Sequence, residues 1–175
     1  MDNGLSGPIV LDLSKRVGEL LKKGAVELRI DFKPALDMQK LDNRLIREFE
    51  KFNTRKIQNA MQTLVPKRLI PIILQQAGID PDKWCNSISK KERKRLRLVL
   101  KGLPFQVQEL VGFKKAVVTA GGVSLKEIDP KSMRSKIIDN LYFAGEILDL
   151  DGPTGGYNLQ IAWSTGWLAG ESAAT

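Results

Sequence analysis

Residues 140–160 read NLYFAGEILDLDGPTGGYNLQ. The apolar run Leu141–Ala144 comes first, followed by the glycine-rich run Gly152–Gly156 and by a helix-like run from Tyr157 to Ala173. This order predicts a short buried strand, a loop and a helix. Free backbone N–H groups and the helix macrodipole favour negative charge at a helix start. On this pattern alone the loop is either a ligand site or a tight turn.

The side chains around the loop have two interpretations each. Glu146 is either a ligand contact or the exposed end of a strand. Asn158 is either a ligand contact or a helix cap, and Tyr157 is either a ligand contact or a core aromatic. Small residues later in the helix indicate close packing of that helix on a sheet: Ala162, Ser164, Thr165, Gly166, Ala169 and Gly170.

Residues 37–101 show a different pattern, in which apolar residues recur at helical spacing in one segment after another. Ser89 and Glu92 have the spacing of a capping box and predict a helix start. Pro71 is predicted to kink the helix that contains it. Together these segments predict one compact helical insertion of about 60 residues.

The segments on either side predict mixed structure. Ser6 is expected to cap a first helix that has Pro8 in its first turn and ends near Gly24. Alternating apolar and polar residues predict a half-buried strand over 25–32. Further strands are predicted over 105–111, 115–119 and 123–128.

The predicted fold class is α+β, with a helical subdomain inserted in a β-rich lobe and a C-terminal strand-loop-helix. Four segments are expected. Residues 1–35 begin the β-rich lobe with a helix and a strand, and residues 36–102 form the helical insertion. Residues 103–138 supply the return strands of the lobe, and residues 139–175 form the C-terminal segment.

The formal net charge of the chain is +8, and a dense basic run lies within residues 90–101. Such a run is typical either of a nucleic-acid surface or of the solvated face of a helix. Leu96, Val99 and Leu100 are spaced to face inward, and no aromatic residue that could stack on single-stranded bases interrupts the run. We therefore favour the solvated face. Its cations are Lys90, Lys91, Arg93, Lys94, Arg95, Arg97 and Lys101.

Composition excludes several kinds of chemistry. The chain has no histidine and one cysteine, Cys85, so no zinc site or Cys–His nucleophile pair can be assembled. Redox chemistry would therefore have to come from a bound cofactor, and no catalytic side chain can be nominated. No apolar run is long enough to span a bilayer, and residues 1–4 show no secretory signal. We expect a cytoplasmic location and no membrane partner.

The string over 140–160 closely resembles the C-terminal signature of the BaiN-type NAD(P)/FAD-dependent oxidoreductases, a bacterial flavoprotein family that includes aminoacetone oxidase. The segments 118–125 and 128–133 resemble the approach to that signature, and 4–8 resembles the start of the family's second half. The resemblance is strong from Gly112 onward and looser through the helical insertion.

The resemblance implies a role for each matching position. Residues 139–175 would belong to an FAD-binding Rossmann-like domain. Gly145 and Glu146 would lie at the end of the last strand, against the ribityl chain and the pyrophosphate. Gly121 and Gly122 would let the backbone pass close to the isoalloxazine ring or to its substrate pocket. The remaining positions would lie at the helix start beneath the flavin's pyrimidine edge: Gly155, Gly156, Tyr157, Asn158 and Leu159.

The resemblance further implies FAD as cofactor, NAD(P)H as the possible electron donor and an unidentified small-molecule substrate. No G-x-G-x-x-G turn of the kind that opens a dinucleotide-binding domain is found in the chain. We therefore expect the chain to be a C-terminal fragment that is inactive alone. The competing hypothesis is a non-enzymatic module that binds nucleic acid through its basic helix, a partner that we expect to be absent.

Overall fold

The structure is a computed structural model that describes residues 4–175, so the first three residues of the predicted segment 1–35 lie outside it. The chain divides into two compact units. Unit 1 combines the residues up to Gly24 with Gln108–Thr175, and unit 2 is Ala25–Val107. The regular elements are α1 (Pro8–Leu21), β1 (Val26–Ile30), α2 (Met38–Lys51), α3 (Ile57–Met61), α4 (Ile70–Ala77), α5 (Lys90–Lys101), β2 (Leu103–Val107) and α6 (Tyr157–Ala173).

Local capping contacts define the starts of α2 and α5 in unit 2. Asp37 caps α2, because its side chain accepts a hydrogen bond from the backbone N–H of Lys40. Ser89 and Glu92 form the predicted capping box at the start of α5. Pro71 does not kink a helix, because it stands in the first turn of α4, where its missing N–H costs no hydrogen bond.

One apolar core holds the helices of unit 2 together. Leu96 and Leu100 of α5 are buried in it, and Val99 packs against its edge. The core also contains Leu41 and Leu45 of α2. These residues confirm that α5 presents an apolar face inward, as its spacing predicts.

The described residues form one sheet of two antiparallel strands, β1 and β2, with Leu28 opposite Phe105. Pro104 stands opposite Arg29 in this pair, a position that an outer strand tolerates although proline has no N–H to donate. The α+β class is confirmed at this level, as helices with one small sheet.

Unit 1 differs from the prediction, because the strands expected over 115–119, 123–128 and 141–144 do not form. Residues 113–115, 125–127 and 145–147 are single 3₁₀ turns. Extended backbone pairs only at isolated bridges, such as Val123 with Leu148 and Arg134 with Tyr142. A strand needs hydrogen-bonding partners along its whole length, and these segments find them at single positions within the described chain.

The core of unit 1 is correspondingly small. Ile128, Met133, Leu148 and Ala169 are buried together, with half-buried residues such as Tyr142 packed around them. Helix α6 contributes one side to this cluster and spans the residues predicted for it. None of the helices in residues 4–175 combines the length and the apolar character that a membrane span requires.

Candidate functional site

The loop before α6 has a backbone that favours glycine. Gly155 and Gly156 have φ angles of +116° and +93°, which residues with a side chain rarely adopt. Gly156 is the N-cap residue of α6, and no side chain caps this helix. Within residues 4–175, the backbone N–H groups of Tyr157, Asn158 and Leu159 have no hydrogen-bond acceptor. The helix start therefore presents three free donors.

Asn158 holds the loop in shape. Its Oδ1 accepts a hydrogen bond from the backbone N–H of Gly152 at 2.8 Å, and its Nδ2 donates to the carbonyl of the same residue at 2.9 Å. The side chain is thus occupied by the loop's own backbone. Of the two interpretations that the sequence left open, the helix cap does not describe this arrangement, and the ligand contact stays a prediction.

Helix α1 supplies two further contacts that sequence reasoning missed. Asp12 Oδ1 accepts a hydrogen bond from the backbone N–H of Thr154 at 2.7 Å. Lys15 forms an ion pair with Asp151, and the hydrogen bond between them raises the pKa of Lys15. More than 130 positions separate each pair, and no local pattern links them. The loop is therefore held from within by Asn158 and from outside by α1.

Gly145 and Glu146 lie beside α6. The backbone N–H of Gly145 donates to Thr165 Oγ1 at 3.0 Å, and a Cβ at Gly145 would lie 3.9 Å from that of Ala162. Gly145 has a φ of +74° and opens a 3₁₀ turn. Glu146 is exposed and makes no ion pair with the described residues. Its carboxylate is free to meet a ligand hydroxyl.

Gly121 and Gly122 stand where the chain passes residues 147–149. A Cβ at Gly122 would lie 2.3 Å from the carbonyl oxygen of Ile147, which already accepts from the backbone N–H of Val123 at 2.8 Å. Close packing of backbone on backbone and a φ of +154° both favour glycine at 122, and its place beside a flavin stays a prediction. Gly121 has a φ of +98° and no atom within 4 Å of its added Cβ.

The outward face of α6 is apolar and uncovered in the described structure. Tyr157 is 59% exposed, so it is not a core aromatic. Leu159, Trp163 and Trp167 follow at a spacing of four residues and are also exposed. The loop and the first turn of α6 thus form an open, apolar and donor-bearing surface.

This surface fits a planar or anionic ligand. A Cβ at Gly156 would meet no atom within 4 Å, so the backbone there is approachable, and the three free N–H groups lie next to it. Across the described chain, no three His, Cys, Asp or Glu side chains gather closely enough to hold a metal ion. Burial raises the pKa of the Cys85 thiol, which disfavours a reactive thiolate.

A glycine loop in front of an uncapped helix start is typical of a site for an anionic group. The family model described as HI0933-like protein barrel and H2TH domain matches residues 2–118, more than half of the chain. The chain belongs to this HI0933-like flavoprotein family, as the resemblance in the sequence predicts.

Curated relatives match along nearly the whole chain, including the loop. The chain is 33% identical over 172 residues to the 3-dehydro-bile acid delta(4,6)-reductase of Clostridium scindens, covering 98% of this chain and 42% of the relative. It is 31% identical to the ribosomal RNA dihydrouridine synthase of Escherichia coli, and the match covers 96% of this chain and 40% of that protein. It is 33% identical to the ribosomal RNA dihydrouridine synthase of Haemophilus influenzae, and the match covers 94% of this chain and 39% of that protein. The chain spans about two fifths of the length of these relatives.

Proposed function

We propose that this chain is the C-terminal part of an FAD-dependent oxidoreductase and supplies the loop and helix start on the flavin side of the cofactor site. The observation that carries the proposal is the uncapped start of α6, with three free N–H groups behind a loop held by Asn158 and Asp12. Membership of a flavoprotein family supports it. In this proposal residues 139–175 belong to a Rossmann-like FAD domain.

The residues have distinct proposed roles. The backbone N–H groups of Tyr157, Asn158 and Leu159 stabilise negative charge on the pyrimidine side of a flavin. Gly155 and Gly156 admit the ring close to the backbone, and the exposed carboxylate of Glu146 accepts hydrogen bonds from ribityl hydroxyls. A bound flavin would supply hydride chemistry, with NAD(P)H as the proposed donor.

The dinucleotide-binding half is proposed to come from further polypeptide, because no glycine fingerprint for it occurs among these 175 residues. The present chain would then offer one side of a two-sided cofactor cradle. We infer that it retains FAD weakly or not at all by itself, and that the complete protein acts in the cytoplasm.

The relatives narrow the reaction type. The names of two relatives describe similar reactions. One is a delta(4,6)-reductase of a 3-dehydro bile acid and the other is a dihydrouridine synthase, and each name implies reduction of a carbon–carbon double bond conjugated with a carbonyl group. We propose the same reaction type here. The strongly basic charge of the chain favours a polyanionic substrate, so we propose uridine in RNA ahead of a steroid acid. This departs from the sequence-based expectation that nucleic acid is not a partner.

The test measures flavin content of the complete flavoprotein after extensive dialysis, for wild type, Gly156→Val and Asn158→Ala. Gly156→Val should lose most of its flavin, because a β-branched side chain stands where the ring approaches and a φ of +93° disfavours it. Asn158→Ala should weaken retention about tenfold or less, through a looser loop.

Gly166→Ala is the matched control, because Gly166 lies in the same helix and its added Cβ meets no atom within 4 Å. It should retain flavin like the wild type. Full flavin occupancy in Gly156→Val would mean that the loop is only a packing turn. Tight FAD binding by residues 1–175 alone would refute the proposed two-sided cradle.

A further inference from the structure

The seven cations of α5 fall into two groups in the structure. Arg95 donates to the carbonyl oxygens of Ala77 and Gly78 and so completes the end of α4. Lys101 pairs with Asp31 and also donates to two backbone carbonyls. These two cations hold α5 against other segments of unit 2, as Arg93 and Arg97 also do through contacts with α2. The other five lie toward the start of α5: Lys90, Lys91, Arg93, Lys94 and Arg97.

Two of the five are held in place by one acid. Arg93 donates to both carboxylate oxygens of Asp42, at 3.1 and 3.4 Å, and Arg97 lies 3.4 Å from Oδ1 of the same group. All three side chains are less than one-fifth exposed. One carboxylate against two guanidinium groups leaves a net positive charge. Within the described residues, Nη1 of Arg93 and Nη2 of Arg97 make no hydrogen bond.

The other three have no partner at all in the described structure. Lys90, Lys91 and Lys94 are exposed and form no hydrogen bond or ion pair with residues 4–175. With Arg93, Arg97 and Asp42 they line a shallow cavity of about 400 Å³. We call the surface formed by these five cations the basic face.

The basic face is unfavourable for α5 itself. Lys90 and Lys91 occupy the first turn, where the macrodipole is positive and repels cations. Lys90 and Lys94, like Arg93 and Arg97, are like charges four residues apart, an arrangement that destabilises a helix. Glu92 is the one acidic residue in that turn. A bound polyanion would relieve this repulsion.

We propose that the basic face is a docking surface for the sugar–phosphate backbone of folded RNA. The inference rests on the proposed function, in which RNA is the substrate class. The face is cationic and contains no aromatic side chain, so it suits phosphates of a structured RNA and not the stacking of single-stranded bases. From Lys90 to Arg97 it is about 10 Å long, enough to meet successive phosphates.

The test measures binding of a fluorescein-labelled RNA hairpin to the complete flavoprotein by anisotropy, across a salt series. The triple variant Lys90→Gln, Lys91→Gln, Lys94→Gln should lose at least about tenfold in affinity, and the slope of log affinity against log salt should fall by about 2 to 3. Its melting temperature should not fall, because the side chains of the three lysines form no hydrogen bond or ion pair with the described residues.

The matched control is Arg47→Gln, Lys67→Gln, Arg68→Gln, which removes the same charge from partner-free cations of unit 2 outside the basic face. It should bind RNA like the wild type. Equal losses in both triple variants, or no RNA binding by the wild type, would overturn the proposal. Binding to phosphatidylglycerol vesicles without binding to RNA would overturn it in favour of a lipid surface.

Flavin content, measured on the same samples, separates the two proposals. Normal flavin with lost RNA binding in the Lys90, Lys91 and Lys94 variant supports the basic face. If the wild-type protein binds RNA through this face but retains no flavin, the proposed function is contradicted. The proposal that the basic face docks RNA would still be supported.

Discussion

Asp12 and Thr154 are 142 positions apart in the chain, yet the carboxylate of Asp12 accepts a hydrogen bond from the backbone N–H of Thr154 at 2.7 Å. This bond joins α1 to the middle of the glycine-rich loop. Three residues further along α1, Lys15 pairs with Asp151 at the start of the same loop. The loop geometry thus depends on a helix from the other end of the sequence.

Asp12→Ala should therefore loosen the loop and, on the proposed function, weaken flavin retention in the complete protein. Loss of one hydrogen bond predicts an increase of about fivefold to tenfold in the dissociation constant for FAD. Asp12→Asn is the matched control, because its amide oxygen can still accept from Thr154 and it should bind FAD nearly like the wild type. Equal affinity for FAD in wild type and Asp12→Ala would show that α1 does not position the loop.

Gly122→Ala should destabilise unit 1, because the added Cβ would overlap the carbonyl oxygen of Ile147 at 2.3 Å. A forced backbone shift of this kind costs about 1–3 kcal/mol. Gly121→Ala is the comparison. Its added Cβ meets no atom within 4 Å, so it should lose stability only through the positive φ of that residue. Melting curves of both variants would measure the difference. A smaller loss in Gly122→Ala than in Gly121→Ala would contradict the packing account.

Acid should destabilise unit 2 through Glu92. Hydrogen bonds from Lys83 and then from Ser89 lower the pKa of Glu92 from 4.5 to about 2. Because the folded-state pKa lies below the unfolded one, the stabilisation is present above about pH 4.5 and is lost as the pH falls toward 2. Glu92→Gln, which keeps a capping-box side chain, should flatten this part of the stability profile.

Urea unfolding of wild type and Glu92→Gln between pH 2 and pH 6 measures the effect. Glu50→Gln serves as control, since Glu50 is exposed on α2 and pairs with no cation in the described chain. The stability of this control should depend on pH as the wild type's does. If the free energy of unfolding depends on pH in the same way in all three proteins, Glu92 is not the cause of the acid destabilisation.

Residues 25–107 should fold without the rest of the chain, because the core formed by α2 to α5 lies wholly within them. Residues 36–102 should be helical but less stable. They lack both strands, and they lack Phe32, which packs on the core and whose backbone N–H donates to the carbonyl of Leu100. Far-UV circular dichroism with thermal melts compares the two. A random-coil spectrum for residues 25–107 would contradict an autonomous unit.

Local signals allowed several elements to be predicted from the sequence. The capping box at Ser89 defines a helix start through contacts within three residues, and the left-handed glycine at 156 comes directly before the start of α6. The kink predicted at Pro71 was wrong, because α4 begins at Ile70 and the proline therefore stands in its first turn. The apolar spacing of Leu96 and Leu100 likewise predicts their burial. These features depend on neighbours along the chain, so the amino-acid sequence alone was enough to determine them.

The tertiary structure decided the rest. The strand predicted over 141–144 does not form, because strand pairing depends on a distant partner, whereas a helix makes its hydrogen bonds within itself. The glycine at 122 is explained by the carbonyl of Ile147, and the shape of the 152–156 loop depends on Asp12. The sequence of the basic run also does not show which of its cations bind Asp42 or the end of α4. Nor does it show which of them have no partner among the described residues. Each of these facts is a contact between residues far apart in sequence, which no local pattern records.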